Sequence, residues 1–301
     1  MKKNILFLTG SLLIILQSNI CAGAWTQKSG SYYIKFETSY LKTFKEYNHK
    51  GEQLNILEEQ FIFKDAFFRD ISLRAYAEYG LFNNLTIIGK LPIKISTSGY
   101  FLDDLYSQGE VSRTTTGLGD LNVALKYGVI TQPVAVAVRG GLKIPMGYEK
   151  HPDNGGPQLG SGEIDLQGMV EIGLSLHPLP MYLGGGIGYH NRGGALHDEF
   201  VYHLETGYTL DQWFFKLYFN GIKNTKTPPD LYGDEIQLPL TGGGGITPDY
   251  IFGDIDLNQI SFTLSRQIKE GMSIEATVYQ ILSGKNTVTG QTYSLGLAIY
   301  K

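Results

Sequence analysis

The chain has 301 residues with 25 basic and 29 acidic side chains, a formal net charge of −4, 38 Gly, 20 Tyr, 15 Phe, 2 Trp and one Cys. That balance excludes a domain held to nucleic acid by bulk charge, and 42% hydrophobic with 18% charged residues excludes a disordered chain. Glycine at roughly twice its usual share, aperiodic and accompanied by abundant tyrosine, points to β-structure with close backbone packing.

Residues 1–24 read as an export signal. Lys2 and Lys3 precede an apolar run from Ile5 to Leu16, and Ala22-Gly23-Ala24 offers small residues to a signal peptidase. Cleavage after Ala24 starts a single mature domain, 25–301, at Trp25. It removes the one cysteine, so no disulfide, thiolate chemistry or cysteine-bound metal is expected, and it takes the net charge from −4 to −6. Cys21 follows Ser18-Asn19-Ile20, not the Leu and two small residues that precede a lipidated cysteine.

Beyond the signal no run of about 18 apolar residues is present; alternation takes its place. On 32–40 the residues Tyr32, Ile34, Phe36, Thr38 and Tyr40 share one face, and Tyr33, Lys35, Glu37 and Ser39 the other, the period of a strand. The pattern recurs on 71–81, 85–95, 121–127, 134–143, 164–176, 181–190, 200–210, 213–221, 258–268, 274–282 and 293–299. Twelve strands of about ten residues are the length and even number of a tilted transmembrane barrel. Short connections near 82–84, 131–133, 177–179, 211–212 and 269–271 alternate with longer ones near 43–67, 97–116, 146–162, 191–198, 223–255 and 283–290. A secreted sandwich has no reason to alternate its loop lengths, whereas an outer-membrane barrel has short periplasmic turns and long extracellular loops. Both termini then face the periplasm. Tyr32, Tyr40, Tyr79, Tyr127, Tyr189, Tyr208, Trp213 and Tyr293 fall near strand ends on the apolar face, as interface girdles do. The reading is an all-β, antiparallel up-and-down barrel in the bacterial outer membrane, with lipid and lipopolysaccharide around it. The last strand, with Tyr293, Leu295, Leu297 and Ile299 in phase, suits recognition by the barrel-assembly machinery, although the final residue is Lys301.

Three segments carry a resemblance: Gly117-Leu118-Gly119-Asp120-Leu121 running into Leu125-Lys126-Tyr127, then Leu142-Lys143-Ile144-Pro145-Met146-Gly147, then Gly160-Ser161-Gly162-Glu163-Ile164-Asp165-Leu166-Gln167. Together they resemble the central block of the outer-membrane protein family associated with the meta-pathway of phenol degradation. Glu78-Tyr79-Gly80-Leu81 before Asn83-Asn84-Leu85-Thr86 is similar to that family's first periplasmic turn. After Pro145 the chain has Met146-Gly147-Tyr148 where the family tends to have Thr-Gly-Asp. Ala24-Trp25-Thr26-Gln27 also resembles the outer-membrane proteins named XagA, associated with surface polysaccharide. The resemblance implies a transporter-type barrel; it does not identify the cargo.

The polar face of each strand is the lumen face, so site chemistry belongs there. Near mid-height it carries Lys35, Glu37, Arg74, Lys90, Arg139, Glu171, His203 and Glu205. Bases concentrate on the second to fifth strands (Arg74, Lys90, Lys94, Lys126, Arg139, Lys143) and acids on the sixth, eighth and eleventh (Asp165, Glu171, Glu205, Glu275). Such a distribution sets a transverse field across a small-solute channel, or fills a closed lumen with ion pairs. His203 and Glu205 share a face as a structural pair rather than as acid-base machinery, and no histidine has a Ser two residues on; no catalytic or metal site and no cofactor is expected. Asp153-Asn154 and Asp254 with Asp256 read as solvated loop carboxylates.

The connection 223–255 is long for a structureless loop and carries Leu231, Tyr232, Tyr250 and Phe252 among prolines and glycines. It is expected to fold over the barrel mouth as a lid, or to pack on the long loop 43–67 with its Leu54, Ile56 and Leu57. Two functions follow: a channel for small, hydrophobic or aromatic organic solutes, or a non-enzymatic surface or export component serving polysaccharide or adhesion.

Overall fold

The computed structural model describes residues 23–57, 63–103, 108–150, 152–226 and 254–301. Leu231, Tyr232, Tyr250 and Phe252, and with them the expected lid, lie outside the described residues, as does the leader through residue 22.

The chain climbs on β1 (Tyr32–Thr43), forms the short β2 (Lys45–Tyr47) and β3 (Gln53–Asn55), and descends on β4 (Phe63–Phe82). After the turn at Asn83-Asn84 it rises on β5 (Leu85–Asp103) and descends through β6 (Gln108–Leu118) and β7 (Asp120–Ile130). The remaining strands alternate in direction: β8 (Val134–Pro145), β9 (Asp165–Ser175), β10 (Met181–Asn191), β11 (Glu199–Leu210), β12 (Trp213–Asn224), β13 (Asp256–Lys269) and β14 (Met272–Lys285). The short β15 (Thr287–Thr289) then leads to β16 (Gln291–Tyr300). β5 pairs with β6 along its upper half and with β7 along its lower half, so β6 and β7 form one wall strand bent at Gly119. A side chain at Gly119 would meet the Pro92 ring at 2.9 Å and the Leu159 carbonyl at 3.0 Å. β16 pairs with β1 and β1 with β4, which closes a ring of twelve antiparallel wall strands. Closure leaves no sheet edge to satisfy in lipid.

The alternation read in the sequence sorts the wall inside from outside. On β1, Glu37 is 3% exposed while its neighbour Phe36 is 49% exposed. The outward set is apolar throughout, with Leu73, Ile93, Leu125, Val170, Ile187, Leu204, Phe262 and Leu295 all exposed, and the buried set is largely polar. This inversion of a soluble core is what a wall facing hydrocarbon requires. Aromatic belts edge it: Tyr40, Tyr189 and Tyr293 toward the long-loop end, and Tyr79, Tyr127, Tyr208 and Trp213 toward the short turns.

Two of the expected long loops are corrected. Most of the described part of 97–116 is strand, and 43–67 holds two short strands and the start of β4, because β4 begins at Phe63, β5 continues to Asp103 and β6 pairs with it. Periodicity weakens there because these extensions rise beyond the lipid-facing band and need no uniform outer face. β2, β3 and β15 form a separate three-stranded sheet at the mouth. Beneath it Leu41, Ile56, Leu57, Ala66, Phe68 and Val288 form a buried apolar cluster, with Phe63 and Tyr100 packed on it. Ile56 and Leu57 are therefore spent on the barrel's own wall.

Candidate functional site: an ion-paired lumen with an internal N-terminal segment

Strand register brings the inward charges together as neighbours across strands. Glu37 on β1 sits opposite Arg74 on β4, and Arg74 Nη1 lies 2.9 Å from Glu37 Oε1. Lys35 Nζ reaches Glu37 Oε2 at 2.7 Å and Glu275 Oε2, on β14, at 3.4 Å. Across the lumen wall Arg139 Nη2 is 3.4 Å from Glu171 Oε1, and Lys216 Nζ is 3.6 Å from Glu205 Oε2. His203 stacks on Tyr218 with ring centroids 5.5 Å apart, and Lys216 lies over the same ring. Two further pairs complete the layer, Lys94 with Asp70 at 3.5 Å and Lys126 with Glu78 at 3.8 Å.

Of the eight residues read from the sequence, Lys35, Glu37 and Arg74 form one group, and Arg139, Glu171, His203 and Glu205 line another. Lys90 differs. It faces the lumen as an exposed residue, and among the described residues its ammonium makes no hydrogen bond or ion pair; Glu37 attracts it at longer range, while Arg74, Lys35 and Lys94 repel it. The basic strands also carry acids of their own, Asp70 and Glu78, and Glu37 stands beside Arg74 on β1, so adjacent pairing cancels most of a transverse field. Desolvation is offset pair by pair, and a half-satisfied charge would be costly at such depth.

At the long-loop end a second network surrounds Arg192, which is 2.7 Å from Glu199, 3.8 Å from Asp165 and 3.8 Å from Asp254. Lys143 pairs with Asp165 and Lys223 with Asp256, while His197 Nδ1 is 2.5 Å from Asp254. Asp256 is thus buried and Asp254 half-buried, both in ion pairs, and they are not the solvated loop carboxylates expected. The connection after β8 folds inward: Tyr148 Oη donates to Asp120 and accepts from the Gly162 N–H at 2.6 Å, and Pro157 to Ser161 are buried. Burial and the Asp120 hydrogen bond push the Tyr148 phenol far above its ordinary value, so it stays a donor.

One element of the lumen was not foreseen. Residues 23–31 run inside the short-turn half of the barrel, from β7 to β10 at their start across to β5 and β4 at the rim. Lys126 Nζ donates to the Gly23 carbonyl at 3.1 Å, and Ala24 is buried against Ala135 and Ala137. Trp25 meets Tyr182 edge-on at 5.6 Å and covers Gly173, where a Cβ would lie 2.4 Å from the indole. The Gln27 N–H donates to Thr86 Oγ1 at 2.8 Å and its amide to Glu78 at 3.3 Å. At the rim the Gly30 N–H donates to the Gly80 carbonyl at 2.8 Å. The signal for this segment lay in the inward glycines Gly80, Gly128 and Gly173, which leave room where alternation calls for polar side chains.

No family model and no curated protein matches the chain by sequence. Solved structures do match by shape. The crystal structure of the COG4313 outer membrane channel from Pseudomonas putida F1 superposes with a TM-score of 0.63 at 12% identity, covering 92% of this chain and 98% of that one. A KdgM porin in complex with disordered oligogalacturonate gives 0.47 at 7% identity over 89% and 98% of the two chains. The CymD monoaromatic hydrocarbon channel gives 0.43 at 11% identity over 91% and 89%. At such identities the likeness establishes the fold, an outer-membrane β-barrel.

Proposed function

We propose that this chain is an outer-membrane channel for small organic solutes, hydrophobic or aromatic ones foremost, and a member of the family associated with the meta-pathway of phenol degradation that its central block resembles. The observation that carries the channel reading is Lys90: a lumen-facing lysine with accessible space around it, in a wall whose other mid-height charges are paired. A lumen filled for stability alone has no use for an unpaired cation. Preference for solutes with an apolar face is supported by the aromatic surfaces inside the wall, Trp25 against Tyr182 and Tyr218 beside His203. The surface or export reading, suggested by the XagA-like start, lacks a structural observation of its own.

Planar-bilayer recording on protein shown to be folded by heat-modifiable gel migration tests the proposal. Wild type conducts weakly, because residues 25–31 occupy the short-turn half. Replacing Arg74 and Arg139 together by Ala raises single-channel conductance and shifts selectivity toward cations, since Glu171 and Glu205 remain. Absence of conductance from both wild type and the double variant would reject the channel and leave the export reading in front.

A further inference from the structure

Two carboxylate oxygens in the lumen wall are left over after every ion pair has been made. Glu171 Oε1 faces Arg139 and Glu205 Oε2 faces Lys216, yet Glu171 Oε2 and Glu205 Oε1 are buried without any hydrogen-bond partner among the described residues. The two side chains are 3% and 7% exposed. A buried carboxylate oxygen with no partner is among the costlier arrangements a fold can keep. Glu205 Oε1 lies beside the innermost described residue of the N-terminal segment, and Glu171 is the register partner of a residue that the segment packs on. The Cβ position of Gly23 is 3.0 Å from Glu205 Oε1 and 3.8 Å from His203 Nε2, and Ala24 packs on Ala137, the register partner of Glu171. Gly184 and Gly186 on β10 provide the space in which Glu205 and Glu171 lie flat on the wall.

We propose that the α-ammonium of Trp25, created when the leader is removed after Ala24, docks between Glu171 Oε2 and Glu205 Oε1 and clasps residues 25–31 inside the barrel. Signal-peptidase hydrolysis of the Ala24–Trp25 bond consumes one water and leaves a carboxylate on Ala24 and an amine on Trp25 that takes up a proton. The new terminus stands one residue step, about 3.8 Å between Cα atoms, from the Cα of Ala24 and two steps from that of Gly23. Its three donors suit two free oxygens with a donor to spare. Within a peptide bond the same nitrogen is a neutral amide with one hydrogen and cannot serve both oxygens. The Gly23 carbonyl that Lys126 meets leaves with the leader, and Lys126 keeps Glu78. Processing thereby completes the lumen's charge pairing and fixes the segment in place.

The test uses mature protein purified from outer membranes. Intact mass gives a chain beginning at Trp25, and an amine-acetylating reagent at neutral pH, followed by peptide mass spectrometry, reports the accessibility of its terminus. The Trp25 amine in folded wild type acetylates about tenfold more slowly than in heat-unfolded protein, the factor expected for a charge-assisted hydrogen bond, while exposed Lys28 reacts alike in folded wild type and variants. Glu171→Gln with Glu205→Gln, nearly isosteric, restores most of the reactivity; should the double variant not fold, the two single variants are read in the same way. A mature chain that begins elsewhere, equal reactivity folded and unfolded, or full protection retained in the Gln variants would overturn the clasp. Acetylation does not depend on whether the barrel conducts, so this result stands apart from the channel reading.

Discussion

At the scale of single residues, glycine and one unpaired lysine define the interior. Gly80 faces the lumen where the N-terminal segment passes, and a Cβ there would stand 2.0 Å from the Lys28 carbonyl oxygen. Gly80→Ala must displace the segment, at about 1–3 kcal/mol for overpacking; the midpoint of urea unfolding followed by gel mobility falls accordingly. Lys90→Gln removes a charge that holds no partner, so it leaves that midpoint within about 0.5 kcal/mol and shifts the reversal potential in a salt gradient toward cations. An unchanged potential would show that Lys90 does not face the permeation path. Asp198 gives a pH dependence at the long-loop end. Tyr189 Oη and the Arg192 N–H donate to it at 2.6 and 2.8 Å and hold its carboxyl below the ordinary range. A lowered folded value means that the loop's anchoring is intact above the ordinary carboxylate pKa of about 3.9. It is lost as the pH falls through the lower folded value. Protease sensitivity of 191–198 therefore stays flat from neutral pH down to about pH 4 and rises below it, and Asp198→Asn abolishes that step.

At the scale of elements, segments that look like connections are held inside the barrel by a few polar contacts each. Among the described residues of 147–163 none has strand pairing, and Tyr148 fastens both ends of the segment, to Asp120 and to the Gly162 N–H. Ser161 N–H adds a bond to the same carboxylate at 3.2 Å. Tyr148→Phe removes two hydrogen bonds at one atom, about 1–3 kcal/mol, and frees the segment locally. Limited proteolysis of the folded variant cuts within 147–163 while the wall strands stay protected. Equal cutting in wild type and variant would show that the buried stretch from Pro157 to Ser161, not the phenol, holds the segment.

At the scale of the molecule, the wall is fixed by closure and the lumen by what the chain folds back into it. The apolar outer face supplies the hydrophobic stabilisation through lipid, and the interior is held by paired charges, a small apolar cluster at the mouth and the N-terminal segment. Removing residues 25–30 therefore opens the short-turn half without unmaking the wall: the variant keeps its heat-modifiable migration and conducts more than wild type. Trp25→Ala, which empties the space over Gly173, moves conductance in the same direction by less.

Strand alternation and loop-length alternation determined the barrel, its twelve wall strands and its inward charges, because period two and turn length are properties of neighbouring residues and survive in any one-dimensional reading. Lys35, Glu37, Arg74, Arg139, Glu171 and Glu205 could be placed on the inner face for the same reason. Which acid meets which base could not, since Glu37 finds Arg74 and Glu171 finds Arg139 only through the register between strands. The upper parts of β4, β5 and β6 read as loops because they lie beyond the band where lipid enforces alternation. The segment 23–31 was illegible because it has no period at all: Trp25 and Gln27 are ordered by holes in the wall at Gly173 and Gly80 and by Thr86 and Glu78, partners some 50 to 150 residues away that only the closed barrel brings to them.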